Sequence, residues 1–188
     1  MRFYVMLKPE TFAAQWQQEV VANEPEFIRD DLLLIVCPPD LEVLAQIPED
    51  SARFLVEAGL PRSCAPFLTF DEVGKGLPKL ITVWRLDGVS GVDTDFLSRY
   101  HTLGSDGAGN PLCIDIEEPG KVFMVDHDDA FRSRRLVASS IPQLAEALLI
   151  IQTQPREHFQ RLFEEIDPAA CGDDSFLPCE VAMLVEEA

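Results

Sequence analysis

The chain has 188 residues, 47% of them hydrophobic and 26% charged, enough for one domain that buries a core without disulfides or metal. Its formal net charge at pH 7 is −18. A field of that sign repels nucleic acid and anionic membranes, favours basic partners, and also serves plain solubility.

The opening run MRFYVMLKPE lacks the apolar core of a secretion signal. The longest aliphatic run, 32–36, is too short to span a bilayer. TFAAQWQQEVVA (11–22) is predicted to be helical, because Phe12, Trp16 and Val20 recur every four residues and Pro25 lies just beyond. DDLLLIVCPP (30–39) reads as a short strand closed by Pro38 and Pro39, and 41–46 fits more than one state. PEDSARFLVEAGLP (48–61) is a helix with both ends marked. Pro48 suits a first turn, and Glu49 and Asp50 favour the positive dipole end. Phe54, Leu55 and Ala58 make its apolar side, and Gly59 and Pro61 stop it.

Residues 67–70 and 80–86 are predicted strands on their aromatic and β-branched content, separated by Gly74, Gly76 and Pro78. A further strand is expected near Tyr100. The stretch 103–129, LGSDGAGNPLCIDIEEPGKVFMVDHDD, reads as a β-hairpin. Leu112, Ile114 and Ile116 would share one face, with Cys113 and Asp115 on the other. In the return strand both Val122/Met124 and Phe123/Val125 are apolar, which predicts a central strand covered on both sides. Beyond a basic triplet (Arg132, Arg134, Arg135), Ser140 with Gln143 forms a capping box. Ile141, Leu144, Ala145, Leu148 and Leu149 then follow a helical stripe. Pro155 opens another helix through Phe159, Leu162, Phe163 and Ile166, stopped at Asp167 and Pro168, and the tail holds one more apolar segment. Helix, strands, then helices, without βα alternation, predicts an α+β fold with a mainly antiparallel sheet.

Residues 1–46 carry eight acids and three bases, 47–154 sixteen and ten, and 155–188 nine and two, so acidic density peaks at the C-terminal end. The cysteines (37, 64, 113, 171, 179) are odd in number and lack CxxC spacing, which points to reduced thiols in a cytoplasm rather than a disulfide framework.

Asp126, His127, Asp128 and Asp129 form a dense polar cluster that a metal could use, with Asp115 across the hairpin. Successive residues diverge, however, and no HExxH or paired Cys/His set supports a metal. Cys113 with His127 or His101 offers a nucleophile–base pair only if the two touch. Between Leu112 and Ile114, Cys113 reads more simply as a small hydrophobe. The loop GSDGAGN lacks the phosphate-binding pattern GxxxxGK[ST]. Gly104, Gly107 and Gly109 are expected to permit positive φ, with Asp106 and Asn110 bonding nearby amides. The arginine triplet is too small for a nucleic-acid footprint and reads as a solvated loop pairing with local acids. No catalytic residue, cofactor or metal site is therefore assigned.

Taken in order, YHTLGSDGAGNPLCIDIEEPGKVFMVDHDD and VASSIPQLAEAL resemble the SUKH superfamily of SMI/KNR-type domains. The likeness rests on the Gly/Asp loop 104–110, the strand 112–115 ending in Asp, the strand 120–127 ending in Asp-His, and Ala138 to Ser140 at a helix start. FLVEAGLP and FLTFDEV upstream look like one bacterial branch. The resemblance covers about 47–152. It implies a twisted sheet flanked by helices, with 1–46 as an N-terminal extension, 47–154 as the domain, and 155–188 as an acidic helix and tail. It also implies an immunity-type, non-enzymatic protein that binds a cognate toxin, often a nuclease, in the cytoplasm. The alternative is a regulatory or scaffolding domain with another protein partner. On the immunity reading, Asp106, Asp126, Asp128 and Asp129 are the expected partner contacts, with no role for nucleic acid or membrane.

Overall fold

The computed structural model describes residues 6–186. Among the described residues there are eight strands: β1 (Leu34–Ile35), β2 (Leu60–Pro61), β3 (Ser63–Cys64), β4 (Leu68–Thr69), β5 (Tyr100–Ser105), β6 (Pro111–Asp115), β7 (Val122–Val125) and β8 (Arg134–Ala138). The first two form a small antiparallel ladder. The other six form one antiparallel sheet in chain order, β3 to β8. The helices are α1 (Pro9–Gln15), α2 (Glu26–Arg29), α3 (Glu49–Glu57), α4 (Asp71–Gly74), α5 (Leu80–Val83), α6 (Thr94–Leu97), α7 (Ile141–Thr153), α8 (Phe159–Ile166) and α9 (Phe176–Glu186). The fold is α+β with an antiparallel sheet.

Alternation along the hairpin sorts its side chains between two cores. Leu112, Ile114, Val122 and Met124 join the main core with Phe12, Phe54, Leu144, Leu148 and Phe163 from α1, α3, α7 and α8. Cys113, Phe123 and Val125 point the other way, into a second core with Leu80, Leu86, Leu97, Tyr100 and Phe131. β6 and β7 are thus interior strands covered on both faces, as their two-sided apolar pattern requires.

The N-terminal stripe also behaves as its spacing dictates. Phe12, Trp16 and Val20 are buried, α1 continues through a π-helical turn at Trp16–Val20, and the Trp16 indole donates to the Leu32 carbonyl at 2.8 Å. The Ser140 hydroxyl accepts from the Gln143 amide at 3.3 Å. The second half of the predicted capping box differs. The Gln143 Oε1 accepts from that hydroxyl at 2.7 Å, and its Nε2 donates to Ile166 O at 2.8 Å, so the side chain pins the end of α8. Ser139 adds to this joint, donating from its amide and hydroxyl to the buried Asp167 carboxylate at 2.6 and 2.7 Å.

Three strand expectations are corrected. Residues 80–86 hold the short helix α5, not a strand. Leu80 is buried, with Ile81 and Trp84 packed on the same core, while Val83 is exposed. That spacing is helical, and burial overrides β propensity. The strand at 67–70 shrinks to β4, because Phe67 has φ +63 and turns the chain. The first strand likewise shortens to Leu34–Ile35. There the chain crosses so near Gly59 that an added Cβ would lie 2.0 Å from Ile35 O. Gly59 therefore serves close approach as well as its left-handed φ of +72.

Candidate functional site

Antiparallel pairing in chain order brings three connections to the same end of the sheet: β3–β4 at 65–67, β5–β6 at 106–110 and β7–β8 at 126–133. Two of these loops carry the four expected contact residues, and Asn110 joins them. Its Nδ2 donates to Asp106 Oδ2 at 2.9 Å. Its Oδ1 accepts from the His127 amide at 3.2 Å and faces His127 Nδ1 at 2.8 Å. Because Oδ1 only accepts, His127 carries a proton on Nδ1. Asp106, Asp126, Asp128 and Asp129 are thereby gathered on one end. Asn110 does more than bond its neighbours: it ties the β5–β6 loop to His127, seventeen residues on.

Each loop is held by its own carboxylates. Asp106 Oδ1 accepts from the amides of Ala108 and Asn110 at 2.9 and 2.8 Å. Asp126 Oδ1 accepts from Asp128 N at 2.8 Å. Asp129 accepts from the amides of Arg132 and Ser133 at 2.9 and 3.0 Å, and hydrogen bonds from Ser133 hold its carboxyl below the usual range. Asp128 differs. Its side chain is 89% exposed and its carboxylate lies 3.4 Å from His127 Nε2. Three acids thus shape the loops and still present negative charge, and Asp128 stands exposed beside His127.

Glycine does less here than expected. Only Gly109 takes positive φ, at +91. Gly104 is required for space, since an added Cβ would lie 1.8 Å from Thr69 O, where the β5–β6 register shifts between Thr102 and Gly104. Gly107 abuts Phe67, 3.1 Å from its own Cβ position to the Phe67 Cβ.

A cleft of about 480 Å³ opens beside the loops, lined in part by Thr69, Asp71, Lys75, Trp84, Thr102 and Gly109. The Trp84 ring packs 5.3 Å from that of His127 and 5.2 Å from that of Phe131. Phe67, on the β3–β4 turn, is 70% exposed. Sequence reading placed Phe67 and Trp84 in strands and so missed both. A tight turn at 65–67 and a four-residue helix leave no periodic trace.

Asp115 lies at the other end of β6, away from the Asp126–His127–Asp128 cluster. It is fully buried and accepts from Arg99 Nε at 2.9 and 2.8 Å, from Arg134 Nη1 at 2.9 Å, and from the amides of Glu117 and Glu118. Of the arginine triplet only Arg132 lies in an exposed loop, while the pairing with acids that was expected is made by the other two from within a strand. Arg134 and Arg135 belong to β8. Arg134 crosses the Phe123 ring at 4.0 Å to reach Asp115, Glu118 and the Tyr100 hydroxyl, and Arg135 pairs with Glu180 at 3.2 Å.

The β7–β8 turn brings ligand atoms of Asp126, His127 and Asp128 within 4.8 Å of one another, closer than divergent successive residues suggested. Asp126 Oδ1 and His127 Nδ1 are engaged in the loop bonds just described, which leaves Nε2 and free carboxylate oxygens as donors. Cys113 is fully buried and burial pushes its thiol up, away from thiolate character. His101 turns its Nδ1 to Leu77 O at 2.7 Å and burial lowers its pKa. His127 is committed to Asn110. The nucleophile–base pair is not assembled.

Among the described residues no helix is long and apolar enough to cross a membrane. Comparison with curated proteins and with solved structures gives no match. A family does match: the one described as SUKH-4 immunity protein, over residues 32–176. That span takes in the whole six-stranded sheet, the loop end and the α7–α8 joint, and extends past the resembling segment on both sides. The chain belongs to the SUKH-4 immunity protein family, a member of the SUKH superfamily.

Proposed function

We propose that this chain is a cytoplasmic immunity protein that neutralises a cognate toxin by direct, non-enzymatic binding, and that the loop end of its sheet is the contact face. Family membership supports the role. The meeting of the two acidic loops at Asn110 is the observation that carries the surface. Four carboxylates on one face, on a chain of net charge −18, would steer a basic enzyme such as a nuclease, raising association by about 10- to 10³-fold. The loops are pre-ordered by their own hydrogen bonds, so little conformational freedom is lost on docking. Inhibition then needs only occlusion, with no bond made or broken.

The test is co-expression and pull-down with the product of the neighbouring gene, followed by binding measurements across a salt series. Affinity should fall as salt rises, chiefly through slower association. A complex indifferent to salt removes the electrostatic part of the reading. Absence of any complex removes the reading itself.

A further inference from the structure

We infer that Phe67 is the apolar anchor of this interface, inserting into an aromatic-sized socket on the basic surface of the toxin; the inference rests on the binding role proposed above. The fold does not account for Phe67. The residue is 70% exposed and belongs to neither hydrophobic core. Its backbone sits at φ +63, a region that a bulky side chain occupies only under strain and that Gly or Asn takes readily. A bare aromatic ring in a strained conformation works against both solubility and stability. Such outliers concentrate where they are used.

Its surroundings indicate what it meets. Phe67 leans on Gly107, next to Asp106, on the end of the sheet that carries the acidic loops. Nearby, Lys75 is matched by Glu72 at 2.8 Å and Arg62 by Asp71 at 4.0 Å. Asp106, one residue from Gly107, is the acid beside the ring, and the β7–β8 acids lie further along the same end of the sheet. Aromatic residues are enriched at interfaces, and a few such anchors dominate the binding energy. The complementary partner is a basic surface with one apolar socket. The acids would set the rate of encounter and Phe67 the lifetime of the complex.

Phe67→Asn separates anchor from scaffold, because Asn tolerates the left-handed backbone. The probe is the toxin domain that the pull-down with neighbouring gene products identifies, bound to the full chain. The expected result is an unchanged or higher melting midpoint, affinity weaker by about 30-fold or more, a faster dissociation rate and an unaltered salt dependence. Binding within about 3-fold of the parent overturns the anchor while leaving the immunity reading intact. A melting midpoint lowered by several degrees overturns it also, since Phe67 would then serve the fold. If the parent chain itself fails to bind, both the anchor and the reading beneath it fall.

Discussion

Asp115→Asn tests how the sheet is held at the end opposite the loops. Asp115 is fully buried and is the acceptor on which two guanidinium groups converge, with Arg99 Nη2 at 2.7 Å and Arg134 Nη1 at 2.9 Å. Its Oδ1 also takes the amides of Glu117 and Glu118 at 2.8 and 3.1 Å, closing the β6–β7 turn. Asn keeps the shape and the amide contacts. It removes the charge and turns an NH2 group toward donors. Breaking a buried pair costs about 3–5 kcal/mol, most of it from the charge left behind. Here Arg99 retains Glu117 at 3.0 Å, and Arg134 retains Glu118, so the low end applies, about 3 kcal/mol. For a chain of this size that is a fall of about 6–12 °C in melting midpoint. Urea denaturation followed by circular dichroism measures it directly. A double-mutant cycle with Arg99→Met should return a coupling of about 2 kcal/mol. A loss below about 1 kcal/mol would show that the neighbouring glutamates already neutralise both arginines, and the reasoning would fail.

Three further outcomes follow from the same structure. Hydrogen bonds from Lys121 and Arg134 hold the Glu118 carboxyl at about 2, against about 4.3 unfolded. A depressed folded value contributes stability above the unfolded pKa and loses it as pH falls through the folded one. The parent chain should therefore lose urea resistance between about pH 5 and pH 2 more steeply than Glu118→Gln, with the two curves converging near the bottom of that window; parallel curves would refute it. Gly104→Ala places a Cβ 1.8 Å from Thr69 O and should cost about 3 kcal/mol or more in urea denaturation. Gly88→Ala meets nothing within 4 Å and should cost about 1 kcal/mol for its φ alone; equal losses would contradict the close approach. With Ellman's reagent at pH 8, Cys37 and Cys171, pushed up to about 11, and the deeply buried Cys64 and Cys113 should react slowly in the folded protein and quickly in denaturant. A fast Cys113 would reopen thiol chemistry on the hairpin.

The elements most legible in the sequence are those whose pattern is local and repeated. The stripe of Phe12, Trp16 and Val20, the Ser140 cap, and the doubly apolar β7 each follow from one periodicity meeting one core. Residues 80–86 show the limit. Leu-Ile-Thr-Val-Trp satisfies β propensity, and only the burial of Leu80, Ile81 and Trp84 against β5 and β7 side chains makes it helical. Asp115 shows another. A carboxylate between two isoleucines gives no sign of Arg99 and Arg134, which reach it from sixteen and nineteen residues away. The acids of the loop end were identifiable as residues, yet their meeting depends on Asn110 bridging seventeen residues. Phe67 was hidden for a simpler reason: exposure is decided by a turn whose geometry the letters APF do not specify.

Binding of a basic toxin by the loop end, through charge, is open to direct measurement. The direct measurement is the association rate constant of the chain with its cognate toxin domain, sought among the products of the neighbouring genes, from 50 to 500 mM NaCl, for the parent and for Asp106→Asn/Asp128→Asn. The rate should fall steeply with salt in the parent and more shallowly in the variant, the two meeting at high salt. Superimposable salt profiles for a complex that does form would place the interface elsewhere on the molecule.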